Sequence, residues 1–225
     1  MHDAIASLSA RGYSSTIFCD DGRSLIYLIP SLLPPDHAGQ LFDELAAWPE
    51  WRTETDDFGV QGRKCTYFGD EGCTFAYVGL VMRPRPWLPS LSTVRKLVDG
   101  VVGEAHQCSV TGCLANNYVD GEGSIVWHCD EVRAHGEAKL VLALSLGGER
   151  CMQLRENASG RELAVRLPAG SALVMGGAAQ EHWQHALPLD EADAPHRISL
   201  TLRSIVPFHE EQLEAAAAAE GRQYP

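Results

Sequence analysis

A chain of 225 residues, 45% hydrophobic and 21% charged, has the length for one domain with a sizeable core and the composition of an ordinary globular protein rather than a disordered or fibrous one. Its formal charge of −12 argues against broad attraction to a phosphate backbone, and no apolar run approaches the ~18 residues that would span a membrane. The seven cysteines are odd in number and form no C-x-x-C pair, so they read as reduced thiols with neither a disulfide framework nor a zinc site.

No secretory leader opens the chain, so an intracellular protein of the cytoplasm or nucleus is expected, a monomer with no membrane attachment. Residues 24–29 predict a strand. The segment 35–48 carries Leu41, Phe42, Leu45 and Trp48 at helical spacing behind a proline suited to a first turn, which predicts an amphipathic helix against a sheet. Much of the acid lies in Asp20-Asp21, Glu54 to Asp57 and Glu210-Glu211, and the basic residues that recur between them, Arg63, Lys64, Arg83, Arg85, Arg95 and Lys96, leave room for a local basic strip despite the total charge. A second amphipathic helix is predicted over 91–102, from Leu91, Val94, Val98 and Val101.

From residue 113 the texture changes to short β-rich runs, at 124–128, 139–146, 151–155, 163–167, 171–175 and 197–206. Turn signals such as Gly147-Gly148, Pro168-Ala169-Gly170 and Gly176-Gly177 separate them, which suggests a sandwich or barrel with a jelly roll as the best fit. Helices first and strands afterwards argue against a doubly wound parallel sheet. The expected class is α+β, mainly β: a double-stranded β-helix with the N-terminal helices packed against the major sheet.

His128 and Asp130 end an alternating strand and lie two apart, so both side chains point to one side and can share a metal ion. A second imidazole from a distant strand would complete two histidines and one carboxylate on one face, an arrangement suited to non-haem iron(II). His185 is suitably placed, and His182, three residues before it, competes for the role. In 197–203, Arg197, Ser199, Thr201 and Arg203 alternate with Ile198, Leu200 and Leu202. Two arginines facing a jelly-roll interior need anions, and a dicarboxylate would pair them.

In order and spacing, Asn116-Asn117-Tyr118, His128-x-Asp130, Leu144-Ser145-Leu146-Gly147, Trp183-x-His185-x-Leu187-Pro188 and Arg197-x5-Arg203 resemble the AlkB family of nucleic-acid dealkylating dioxygenases. The stretch from Arg63 to Asp70, running on to Phe75-Ala76-Tyr77, is similar to that family's substrate lid. The resemblance implies iron(II) on His128, Asp130 and His185, the ligand two residues after the tryptophan being preferred to His182. It implies 2-oxoglutarate on Asn116, Tyr118, Arg197 and Arg203, with Thr201 beside them, and dioxygen as co-substrate; which arginine takes the distal carboxylate stays open. Arg63, Phe75, Tyr77 and Glu131 are the implied substrate contacts, Tyr77 stacking a flipped base against His128.

The partner so implied is single-stranded or locally opened nucleic acid carrying N-alkylated bases such as 1-methyladenine or 3-methylcytosine, demethylated with release of formaldehyde. Residues 1–62 are then expected to form an N-terminal extension with a helix, 63–208 the dioxygenase core with its lid, and 209–225 a helical tail. Two departures stand out. The 56–62 loop is short and begins with two aspartates where duplex-repair members have a longer apolar finger, although Phe58 could act as a wedge, and Cys65 occupies a position where the family often has an amide. The alternatives are the same iron chemistry on a protein side chain, lipid or small molecule, and a non-catalytic jelly-roll module that grips an anion.

Overall fold

The computed structural model describes residues 2–77, 79–130 and 139–207. Helix α1 (His2–Ala10) leads to a hairpin of β1 (Thr16–Asp20) and β2 (Ser24–Ile29), then α2 (Pro35–Ala46). A long hairpin follows, β3 (Arg52–Asp56) and β4 (Gly59–Gly69), and then a short one, β5 (Phe75–Tyr77) and β6 (Leu80–Met82). Helix α3 (Pro89–Val98) continues through a π-helical turn (Asp99–Gly103) into α4 (Glu104–His106), so the helix expected over 91–102 is interrupted at its C-terminal end. The remaining elements are β7 (Gly112–Tyr118), β8 (Ile125–His128), β9 (Val141–Gly147), β10 (Arg150–Glu156), β11 (Glu162–Leu167), β12 (Ala172–Gly177), α5 (Ala179–His182), β13 (Trp183–Leu187) and β14 (Arg197–Arg203).

Two antiparallel sheets make the jelly roll. The major sheet runs β1-β2-β12-β9-β14-β7-β4-β3 and the minor sheet β11-β10-β13-β8. Central strand β14 shows how the pattern becomes architecture. Ile198, Leu200 and Leu202 join one buried cluster with Leu41 and Leu45 of α2 and with Leu91, Val94 and Val98 of α3. Val141, Ala143, Leu173 and Met175 of the major sheet instead meet Met152, Leu154, Val165 and Trp183 of the minor sheet in a second cluster. Period-two alternation thus gives the major sheet one apolar face for the helices and another for the sandwich interior.

Gly147 fits where it does for a steric reason. Its φ is +74°, and a Cβ there would lie 2.4 Å from Phe42 Cε2 and 2.5 Å from the His196 carbonyl oxygen, so only glycine lets β9 end against α2.

Several elements were not anticipated: α1, β1, β3, β7, β13 and the eleven-residue strand β4. The expected division at residue 62 falls inside β4, and β2 pairs with β12, so the first sixty residues share the main sheet. The expected loop at 56–62 is a hairpin whose turn lies between the paired residues Asp56 and Gly59. The 209–225 tail lies outside the described residues, among which no helix is long and apolar enough to cross a membrane.

The β14 outer face predicts a clear contrast in urea denaturation. Leu200→Ala, at a fully buried position, should cost about 2–5 kcal/mol, whereas Val126→Ala, at a position 75% exposed, should stay within about 0.5 kcal/mol of the parent.

Candidate metal centre

Strands β8 and β13 pair directly at His128 and His185, which brings the two imidazoles to 4.2 Å between ring centroids. Asp130 follows two residues after His128 on the same side. Possible ligand atoms of His128, Asp130 and His185 all lie within 4.8 Å of one another. His182 takes no part, because its Nδ1 is 2.9 Å from the Ser24 hydroxyl.

The surroundings prepare each group to hold a cation. His128 Nδ1 lies 2.8 Å from the Val126 carbonyl, which can only accept, so Nδ1 carries a proton and Nε2 is the ring nitrogen that faces Asp130. Burial, with His128 nearby, pushes the His185 pKa down to about 3, so its imidazole is neutral and able to ligate. Burial alone would raise the Asp130 pKa, but Arg203, His185 and His128 outweigh it and hold the carboxyl below the usual range. Asp130 Oδ2 is buried without a hydrogen-bond partner. An orphaned carboxylate oxygen beside two imidazole rings fits a divalent metal of the iron(II) type.

The inner face of β14 carries the predicted polar residues. Arg203 is 2.9 Å from Asp130 Oδ1, and its guanidinium lies 4.5 Å from the Phe75 ring centroid. Arg197 donates to Ser145 Oγ at 3.1 Å and lies 5.3 Å from the centre of the Tyr118 ring, its direct partner across β7. Asn116 stands opposite Ser199 on the same face, and Thr201 is half-buried between the two arginines. The Nε atoms of both arginines are buried without a partner, a cationic lining that suits a dicarboxylate such as 2-oxoglutarate. Burial raises the Tyr118 pKa, keeping its hydroxyl protonated and able to donate.

The expected substrate residues divide. Arg63 Nε donates to Asn116 Oδ1 at 2.8 Å, which ties this arginine into the polar cradle, while its neighbour Lys64 is exposed. Phe75 is only 2% exposed, between Tyr67 and Arg203, because an aromatic face covers a buried cation there; it is a core residue of the small hairpin rather than an accessible platform. Tyr77 is half-buried, stacked on Phe75 at 5.3 Å, with its hydroxyl 3.2 Å from Gln61 Nε2. Glu131 lies outside the described residues. Phe58 is 82% exposed at the tip of the β3–β4 hairpin, and Asp56 accepts from the Phe58 N–H and Gln61 Nε2, both at 2.9 Å, so that aspartate braces the turn.

The basic strip is thinner than the sequence allows. Arg95 makes a two-pronged contact with Asp70 at 2.5 and 2.8 Å, and Arg85 pairs with Glu50 at 2.6 Å.

Two supporting residues escaped the sequence reading. Gln180 accepts the Asp130 N–H at 2.8 Å, and nothing in the run around it marks it out. Arg150 is 2% exposed and donates to the carbonyls of Pro188, Gly123 and Asp120 at 2.6, 3.1 and 3.3 Å, with Asp190 at 3.1 Å. It clamps the loops after β7 and β13 together beneath Tyr118, whose ring centre is 5.9 Å away. A charged Glu149-Arg150 pair after the Gly147-Gly148 turn was its only trace in the sequence.

Residues 25–203 match the family model of the 2OG-Fe(II) oxygenase superfamily. The chain is 34% identical over 185 residues to the DNA oxidative demethylase ALKBH2 of Homo sapiens, covering 75% of this chain and 69% of that one. Against the Mus musculus ALKBH2 the identity is 32% over 203 residues, covering 83% and 82%. The alpha-ketoglutarate-dependent dioxygenase alkB homolog 3 of Bos taurus is 27% identical over 199 residues, covering 83% and 68%. The solved structure of OsALKBH1 has the same fold, with a TM-score of 0.61 at 16% identity, covering 84% of this chain and all of that one.

The Arg203–Asp130 pair predicts a pH-dependent stability in the metal-free protein. Asp130 is held ionised in the fold, so its contribution is present above the unfolded carboxyl value of about 3.9 and fades as pH falls below it. Arg203→Met should cost about 3–5 kcal/mol at pH 7, by leaving a buried carboxylate unpaired. That difference should shrink at pH 3 in urea titrations; a constant difference would mean that Arg203 does not hold Asp130 ionised.

Proposed function

The chain belongs to the AlkB family of 2OG-Fe(II) oxygenases, and on that footing we propose that it demethylates N-alkylated bases, such as 1-methyladenine and 3-methylcytosine, in single-stranded or locally opened DNA or RNA. It is an iron(II)- and 2-oxoglutarate-dependent dioxygenase. The observation that carries the reading is the convergence of His128, Asp130 and His185 on one point, with a second cation-lined cradle beside it.

Bound iron(II), with 2-oxoglutarate and dioxygen, supplies the oxidising power that converts an N-methyl group to N-hydroxymethyl. The hydroxymethyl group then leaves its ring nitrogen as formaldehyde, so the chain need provide no general base for that step. His128 and His185 would hold the metal through imidazole nitrogens, and Asp130 would supply the one anionic oxygen. Arg203, which sits against Asp130, would hold one carboxylate of 2-oxoglutarate. Arg197, six residues away on the same face and beside Tyr118 and Ser145, would hold the other carboxylate, for which a guanidinium fork and neutral donors are matched. Asn116, oriented by Arg63, and Thr201 complete the cradle.

Tyr77 is the platform for the extruded base opposite His128, with Phe75 as its backing. Glu131, which follows the metal aspartate in sequence, is the candidate acidic contact for a cationic methylated base. The exposed Phe58 on its braced turn gives the β3–β4 hairpin an apolar tip to set against bases. The same iron chemistry on a protein side chain, lipid or small molecule is the second reading, favoured by the −12 charge and by the acids that occupy Arg85 and Arg95.

Iron-loaded protein given 2-oxoglutarate and single-stranded oligonucleotides bearing 1-methyladenine or 3-methylcytosine should release formaldehyde and form succinate, and His128→Ala should do neither. Succinate without oligonucleotide-dependent formaldehyde would move the enzyme to the second reading. Arg197→Ala should raise the KM for 2-oxoglutarate about tenfold or more, the loss expected of a charge-assisted fork, with the KM for the oligonucleotide unchanged.

A further inference from the structure

Strand β3 pairs with β4 only as far back as Arg52 opposite Cys65. Further along, the same edge of β4 is taken up by the chain after β6: the Arg85 N–H donates to the Tyr67 carbonyl at 2.9 Å, and the Gly69 N–H to the Arg85 carbonyl at 3.0 Å. Between these two partners the edge opens at Thr66 into a cavity of about 240 Å³. Arg52 and Glu54 line it from β3, Thr66 from β4, and Arg83 and Arg85 from the segment after β6, whose Leu80–Met82 strand forms an apolar wall.

Three features mark this cavity as a site for an anion. Its lining brings Arg52, Arg83 and Arg85 together with a single acid, Glu54, in a chain whose total charge is −12; Arg83 and Arg85 also have partners of their own. The Arg52 side chain makes no hydrogen bond or ion pair among the described residues, and the Arg85 side chain has a surface pair with Glu50, of a kind worth about 0–1 kcal/mol and open to exchange. The Thr66 side chain is 4% exposed and its buried hydroxyl has no partner, a donor without an acceptor. Guanidinium forks with a hydroxyl donor match phosphate oxygens, and an apolar wall matches the face of a sugar.

Position ties the cavity to the reaction. It lies between the hairpin that presents Phe58 and the hairpin that carries Tyr77, and Cys65 in its wall lies beside Tyr77. We propose that this cavity is a subsite for a backbone phosphate of the strand that carries the target base, holding the strand next to the nucleotide seated on Tyr77. The inference rests on the demethylase reading. The subsite lies outside the metal centre and the 2-oxoglutarate cradle, and it concentrates positive charge where a single strand passes while the rest of the surface repels one.

The test compares the parent with Arg52→Ala and Arg52→Ala/Arg83→Ala, binding a fluorescein-labelled single-stranded oligonucleotide between 50 and 200 mM NaCl. Loss of one phosphate contact should reduce the slope of log Kd against log salt by about 0.7 and raise the KM for a methylated oligonucleotide several-fold. The KM for 2-oxoglutarate and for 1-methyladenosine, which has no phosphate, should not move, and Arg52→Lys should restore most of the slope. Arg52 is exposed on an edge strand, so the variants should melt like the parent. A parent that demethylates oligonucleotides beside variants with unchanged slope and KM would overturn the subsite and leave the demethylase reading standing. A parent that neither binds nor demethylates oligonucleotides would overturn both.

Discussion

The contact on which the site depends most is the buried pair of Arg203 and Asp130. Arg203 ends the central strand of the major sheet, and Asp130 follows the edge strand of the minor sheet, so one 2.9 Å contact joins the two layers at their open mouth. A guanidinium and a carboxylate, each almost out of water, are stable only when paired and otherwise bonded. Here the aspartate N–H is held by Gln180 and the arginine is covered by Phe75. The second carboxylate oxygen remains for a cation.

The polar cradle follows from the same strand. Every second residue of β14 faces inward, and its neighbours β7 and β9 run antiparallel in register, so Arg197 meets Tyr118 on one side and Gly147 on the other. The outward residues are apolar and lie under α2 and α3, which makes the strand that carries both arginines one of the best anchored in the molecule. A charged inner face is tolerable because the opposite face is wholly apolar and fixes the register. Arg150 does the corresponding work at the rim by holding two loops through their carbonyls.

Above this scaffold stand the two hairpins to which the proposed substrate contacts are assigned. The β3–β4 hairpin extends the major sheet and turns out an apolar tip, whereas β5–β6 folds over Arg203 and offers one accessible ring, Tyr77. The acids near them are mostly structural. Asp56 braces a turn, Asp70 fixes Arg95, and Glu50 meets Arg85, so a sum of charges along the sequence overstates both the acidity and the basicity that a strand would meet at this face.

The sequence by itself determined the period-two pattern of β14, the helical spacing of Leu41 and Leu45, and the His128-x-Asp130 pair, because alternation and helical repeat are local properties of the chain. It also carried the jelly-roll expectation, through short β-rich runs separated by turn residues, and the choice of His185 over His182, through the resemblance of its ordered motifs to a known family. Only the tertiary structure decided that His128 faces His185 across a strand pair, that Arg203 rather than Arg197 meets Asp130, and that Arg63 turns inward to Asn116. Those are contacts between residues tens of positions apart. The burial of Phe75 and the roles of Gln180 and Arg150 belong to the same class, since whether an aromatic is a platform or a lid over a cation depends on what packs beneath it. Strands β3, β4 and β7 lacked a local signal for a related reason: their polar and small residues are held by pairing with neighbours in the sheet, and propensity is weak where such partners do the stabilising.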